Sequence, residues 1–238
     1  MKYKKVFRRD EKKYILTTTE QEKLLRQILP HLVEDNYFSE TICSLYFDTP
    51  NLDLIIKSIE KPLYKQKVRL RSYNVPQLYD TVFLESKIKY RGIVNKRRIN
   101  IKLADFYNYF HNLEIGKPTE LISNSPQIAR ELDYLFRFYH LRPAWFVAYD
   151  RESYVGKENS SLRITFDKNL RSRTENLRLE KGDTGEKYFK NNECVMEIKA
   201  LDALPMWLAS ALSDLKIYPK SFTKYGKIYE KFKKEILC

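Results

Sequence analysis

Charged side chains recur at every second position along several otherwise apolar segments of this chain, and that spacing is the chemistry it offers. Read with a period of two, residues 65–71 put Lys65, Lys67, Arg69 and Arg71 on one face of a strand and Gln66, Val68 and Leu70 on the other. Thr81–Tyr90 repeats the division, with Glu85, Lys87 and Lys89 set against Val82, Leu84 and Ile88. Ile93–Ile101 sets Lys96 and Arg98 against Ile99 and Ile101. The same parity joins Arg9, Glu11 and Lys13, then Tyr149 and Arg151, then Arg163, Thr165 and Asp167, and finally Glu197 and Lys199. A single strand of this kind is ordinary in a half-exposed antiparallel sheet. Its repetition assembles a cationic surface that calls for a polyanion. Arginine recognises phosphate oxygens with a planar, bidentate fork, and lysine supplies a movable point charge. The interspersed acids, Glu197 first and Glu85 or Glu11 besides, suit Mg²⁺ or Mn²⁺, which takes one or two carboxylates and completes its shell with phosphate oxygens and water.

Composition agrees with this chemistry and removes several others. The 238 residues carry 44 Lys and Arg against 31 Asp and Glu, a formal charge of +13 that points to an anionic partner. Cys43, Cys194 and Cys238 are far apart and odd in number, so neither a disulfide framework nor a zinc site is indicated. They read as reduced thiols of a cytoplasmic protein. The first residues run into charge, and no apolar window reaches the length of a membrane span. There is no GxxxxGK[ST] loop, no HExxH and no nucleophile beside a base, while His31, His111 and His140 fall in or beside helices. The 18 tyrosines are scattered instead of interleaved with arginines as stacking platforms, which argues against nucleic acid.

The elements that must position these residues can be read along the chain. Strands are expected over Val6–Leu16, Thr41–Phe47, Leu63–Tyr73, Thr81–Tyr90, Ile93–Ile101, Trp145–Tyr154, Leu162–Lys168 and Val195–Lys199. A helix capped by Thr19 and Glu22 carries Leu24, Leu25, Ile28, Leu29 and Leu32 at helical spacing. Shorter helices fall at Leu52–Ile59 and Leu103–His111, and Asn112–Ser125 reads as a surface loop. Ser125-Pro126 opens a helix striped by Ile128, Leu132, Leu135, Phe136 and Tyr139; Asp202 and Pro205 open another, and a basic helix closes the chain. Asn169–Leu179 is compatible with a hairpin, but its arginines have no clear parity and it stays unassigned. Hairpin-length links favour antiparallel pairing, so the class is α+β. Helices covering the apolar backs of the strands would turn the charges inward, and about eight antiparallel strands suffice to close a barrel with a polar lumen.

The ordered set of Phe7 to Tyr14, Ser44 to Thr49, Val68 to Arg71, Glu85 to Lys87, Tyr149 to Arg151, Leu162 to Asp167, Met196 to Lys199 and Phe222 to Tyr225 resembles the triphosphate tunnel metalloenzymes, and among them the VTC-type polyphosphate polymerase domain. The resemblance covers nearly the whole chain and implies a single domain over residues 1–238: a closed antiparallel β-barrel, the triphosphate tunnel, with surrounding helices. It implies Arg69, Arg71, Lys87, Arg151 and Glu197 as catalytic residues. Lys13, Lys89, Lys96, Tyr149, Arg163, Thr223 and Lys224 would join them in binding phosphate, with Lys199 added by its parity with Glu197, and Glu197 would hold the metal, Mn²⁺ or Mg²⁺. The implied reaction moves the γ-phosphate of ATP to a growing inorganic polyphosphate chain. Related triphosphatases carry an ExExK signature on the first strand, where this chain has Arg9, Glu11 and Lys13; that favours the polymerase over an inorganic or nucleoside triphosphatase. A non-catalytic binder of polyphosphate or RNA is the remaining alternative. The larger relatives add an SPX domain and membrane segments, absent from these residues, so a free-standing catalytic domain is expected.

Overall fold

The structure is a computed structural model that describes residues 10–60, 62–91, 93–189, 192–201 and 203–237. Arg9, Asp202 and Cys238, which figure in the sequence reading, lie outside them. Nine strands and six α-helices are present among the described residues. The strands are β1 (Asp10–Leu16), β2 (Leu32–Asp48), β3 (Tyr64–Tyr73), β4 (Thr81–Tyr90), β5 (Ile93–Lys102), β6 (Arg142–Gly156), β7 (Arg163–Arg173), β8 (Glu186–Lys187) and β9 (Cys194–Ala200). The helices are α1 (Thr18–Ile28), α2 (Asp53–Ile59), α3 (Leu103–Glu114), α4 (Pro126–Phe138), α5 (Met206–Asp214) and α6 (Lys224–Leu237).

The class is α+β, with one large antiparallel sheet in the order β1-β9-β7-β6-β2-β3-β4-β5 and β8 beside β7. Among the described residues no ladder joins β1 to β5, so the sheet is not closed as the barrel expected from the sequence would be. The end strands differ in length, seven residues in β1 and ten in β5, and β5 leaves residues 93–96 exposed. The chain divides into two compact units.

Unit 1 comprises residues 1–40, 149–170 and 187–223. Its core joins the apolar backs of β1, β7 and β9 (Tyr14, Leu16, Ile164, Phe166, Met196, Ile198) to Leu24 and Ile28 of α1 and to Leu208 and Leu212 of α5. Helix α1 has a capping box as expected, but formed by Thr17 and Glu20: the Glu20 amide donates to the Thr17 hydroxyl at 3.2 Å and the Thr17 amide to the Glu20 carboxylate at 2.8 Å. Three successive threonines followed by Glu20, Gln21 and Glu22 fit the pattern three times, and β1, ending at Leu16, selects the earliest. The first part of β2 was not expected, because Glu34, Asp35 and Asn36 are poor strand formers.

Unit 2 comprises residues 41–148, 171–186 and 224–238. Its core packs Val68, Leu70, Val82, Leu84, Ile99 and Ile101 beneath Phe106 and Phe110 of α3 and Leu132 and Phe136 of α4, with Phe47 among the rings. Asp48, fully buried at the end of β2, ties three elements together. One carboxylate oxygen accepts from the amides of Thr49 and Leu54, both at 2.8 Å; the other accepts from the Ile55 amide at 3.0 Å and the Tyr225 hydroxyl of α6 at 3.1 Å. Burial pushes the Asp48 carboxyl up, and these donors reverse only part of that rise. Asp48→Ala leaves those donors buried without a partner and is expected to cost about 3 kcal/mol; urea unfolding measures it, and a cost below about 1 kcal/mol would contradict the assignment.

Candidate functional site

The register of unit 2 converts shared parity into rows of directly opposed residues. Lys67, Lys87 and Lys96 face one another across β3, β4 and β5, and the next row is Arg69, Glu85 and Arg98, with Tyr46 of β2 opposite Arg69. Beyond it stand Ser44, Arg71, Phe83 and Asn100; on the other side Lys65 meets Lys89. At the centre Glu85 is only 1% exposed. Arg69 reaches one of its oxygens through Nε at 2.9 Å and Nη2 at 2.8 Å, while Arg71 and Lys96 stand 3.2 and 2.6 Å from the other. Burial pushes the Glu85 carboxyl up, but Arg69, Arg71 and Lys96 more than reverse it and bring it down to about 2. Arg69 also donates to the Tyr46 hydroxyl at 3.3 Å, and Arg71 to that of Tyr73 at 3.3 Å. One buried carboxylate thus fixes three cations, and like charges one strand apart, about 5 Å, repel by about 3 kcal/mol at an effective dielectric of 20.

Unit 1 carries a second charged face. Lys13, Glu197 and Thr165 lie opposite one another across β1, β9 and β7, and Glu11, Lys199 and Arg163 form the adjoining row. Glu197 is buried, with Lys13, Lys199 and Arg151 at 3.3, 3.5 and 3.8 Å. Lys13 and Lys199 also approach Glu11, at 3.2 and 3.9 Å. Arg151 is gripped by the fully buried Asp167 through two hydrogen bonds of 2.6 and 2.8 Å and lies 5.3 Å from the Tyr149 ring. Despite burial, Tyr149, Asp167 and Glu197 raise the pKa of its guanidinium, so it stays charged. Arg163 is half exposed and pairs with Asp35 at 2.9 Å.

The sequence-predicted residues therefore sort into two groups. Arg69, Arg71, Glu85, Lys87, Lys89, Lys96 and Arg98 share the face of unit 2; Glu11, Lys13, Arg151, Arg163, Glu197 and Lys199 share that of unit 1, with Tyr149 against Arg151. Thr223 is exposed before α6, and Lys224 is that helix's first residue. Asp35 and Asp167 anchor arginines in a way that spacing does not indicate, and Lys67, which lies outside the family fragments, stands in the lysine row. Alternation puts Asp167 on the face of Arg163 but does not name its partner.

Among the described residues no three His, Cys, Asp or Glu side chains gather to cage a metal ion. Glu11 and Glu197, which share Lys13 and Lys199 as partners, offer two carboxylates. That donor set suits a hard divalent cation whose remaining ligands are phosphate oxygens and water. Cys43 and Cys194 are buried and free, and burial pushes both thiols up to about 12, so neither is a nucleophile.

A profile described as the VTC domain matches residues 8–233, a span that includes every residue of both faces. The chain belongs to the VTC domain family. Solved structures similar to this VTC domain include a candidate adenylyl cyclase from Hippeastrum, reported with a dominant triphosphatase activity, at 13% identity and a TM-score of 0.53, covering 93% of this chain and 95% of that one. A candidate adenylate cyclase from Bacillus halodurans matches at 12% identity and a TM-score of 0.51, covering 90% and 92%. At these identities the likeness is one of fold. No helix of the described VTC domain residues is long and apolar enough to cross a membrane.

The Glu85 centre sets a pH dependence. Its carboxyl lies at about 2 in the folded chain against an ordinary 4.5, so the stability it contributes is complete above the ordinary value and is lost as pH falls from there through about 2. The expected loss is on the order of 3 kcal/mol. Urea unfolding measured across that range should show a shallower acid limb for Glu85→Gln than for the natural chain; parallel limbs would remove Glu85 as the source.

Proposed function

We propose that this protein is a polyphosphate polymerase, transferring the γ-phosphate of ATP to the end of a growing inorganic polyphosphate chain with release of ADP, in a divalent-metal-dependent reaction carried out by one VTC-type domain. The observation that carries this reading is the pair of cationic faces whose guanidinium groups are held by buried acids, Arg69 and Arg71 by Glu85 and Arg151 by Asp167. Membership of the VTC family supports it.

In this reading a terminal oxygen of phosphate or polyphosphate attacks the γ-phosphorus, the bond from that phosphorus to the β-bridging oxygen breaks, and the electron pair leaves on ADP. Such a transfer needs positioning and charge stabilisation more than a protein nucleophile. Arg69, Arg71 and Lys87 on the face of unit 2 and Arg151 on that of unit 1 are the groups that would neutralise phosphate oxygens, and Lys13, Lys89, Lys96, Tyr149, Arg163, Lys199, Thr223 and Lys224 are further phosphate-binding groups of their own units. Glu197, with Glu11 beside it, would hold Mn²⁺ or Mg²⁺, which supplies further charge neutralisation when bound. Glu85 serves by keeping the arginines aimed and charged.

A second reading, a triphosphatase in which water is the acceptor, is favoured by the activity reported for the Hippeastrum protein. Incubation with ATP and Mn²⁺, with products resolved by chain length, separates the two: long polyphosphate and ADP are expected, and orthophosphate without chains would establish hydrolysis. Glu197→Gln is expected to lower turnover at least 100-fold, equivalent to about 3 kcal/mol. Retained ATP binding with no turnover in either the natural chain or the variant would identify a non-catalytic binder.

A further inference from the structure

Each charged face contains a buried hydroxyl that meets no hydrogen-bond partner among the described residues: Oγ of Ser44 in unit 2 and Oγ1 of Thr165 in unit 1. Ser44 is 1% exposed and Thr165 2%. Neither belongs to the apolar back of its strand. Ser44 lies directly opposite Arg71 in the β2–β3 ladder. Thr165 lies directly opposite Glu197 in the β7–β9 ladder, and Glu197 in turn faces Lys13.

Buried polar groups in native folds are nearly always paired, and one that is not calls for an explanation. Packing does not supply it here. Valine fills the same space as threonine, has a high strand propensity and carries no hydroxyl to desolvate; alanine would do the same for Ser44. The lone hydroxyls instead occur once on each face, each in register with a residue to which the polyanion-binding reading gives a central part. A hydroxyl also adds something the surrounding cations lack, a short directional donor that brings no further charge into a crowded cationic surface.

We infer that Ser44 and Thr165 are phosphate ligands, whose hydroxyls donate to oxygens of the bound phosphate chain beside Arg71 and beside Glu197. This rests on the reading of both faces as binding a phosphate polyanion. In the ligand-free chain these donors are unused, so their removal should cost the fold nothing and the complex something.

The test compares Ser44→Ala, Thr165→Val and Thr165→Ser with the natural chain by thermal unfolding without ligand and by calorimetric titration with inorganic tripolyphosphate. The expected result is a ligand-free Tm equal to or above that of the natural chain for Ser44→Ala and Thr165→Val, with tripolyphosphate affinity about tenfold weaker for each. Thr165→Ser, which keeps the hydroxyl, should retain the natural affinity. Unchanged affinity in Ser44→Ala and Thr165→Val, or a lowered ligand-free Tm showing that the hydroxyls serve the fold, would overturn the inference while leaving polyanion binding in place. Failure of the natural chain itself to bind tripolyphosphate would overturn both.

Discussion

A carboxylate buried among cations is the constraint on which the unit 2 face depends. Glu85 sits on the same strand as Val82 and Leu84, which turn the other way into the core, so the apolar packing that fixes β4 also fixes the carboxylate. Once there, it must be paired, because an isolated buried charge is far costlier than a buried ion pair. Arg69, Arg71 and Lys96 supply the partners, and their positions become as definite as that of the core itself. Unit 1 solves the problem in the same way, with Asp167 fully buried behind Arg151. In both units the buried acid aims the cation, which is the arrangement a preorganised anion site requires.

This logic explains what was legible in the sequence and what was not. Alternation along Lys65–Arg71, Thr81–Tyr90 and Leu162–Lys168 revealed which side chains share a face, because apolar residues at the intervening positions must enter a core. Register was not legible. That Lys67 stands opposite Lys87 and Lys96, or Thr165 opposite Glu197, depends on where each ladder begins, and alternation gives no information about that. Pairings distant in sequence, such as Asp35 with Arg163, were invisible for the same reason.

The arginines of the unassigned stretch illustrate a different limit. Arg173 donates to the carbonyls of Gly182, Thr184 and Arg178 and lies 3.6 Å from the centre of the Phe146 ring, and Arg171 pairs with Asp183. These side chains hold a loop of unit 2 in shape by satisfying its backbone carbonyls. Loop architecture of this kind follows no period, so composition showed the positive charge without its purpose.

The chain has two tryptophans, and the fold gives one to each unit. Trp145 lies 6.0 Å from the ring of Tyr225, which stacks at 4.4 Å on Tyr46, whose hydroxyl receives Arg69. Trp207 stacks at 4.5 Å on His31 in unit 1. The two indoles therefore differ in their surroundings, a stacked imidazole for one and a series of tyrosine rings ending at Arg69 for the other. With Trp207 replaced by phenylalanine, the remaining fluorescence would be an intrinsic optical probe of the Arg69 face, built into the chain without any added label.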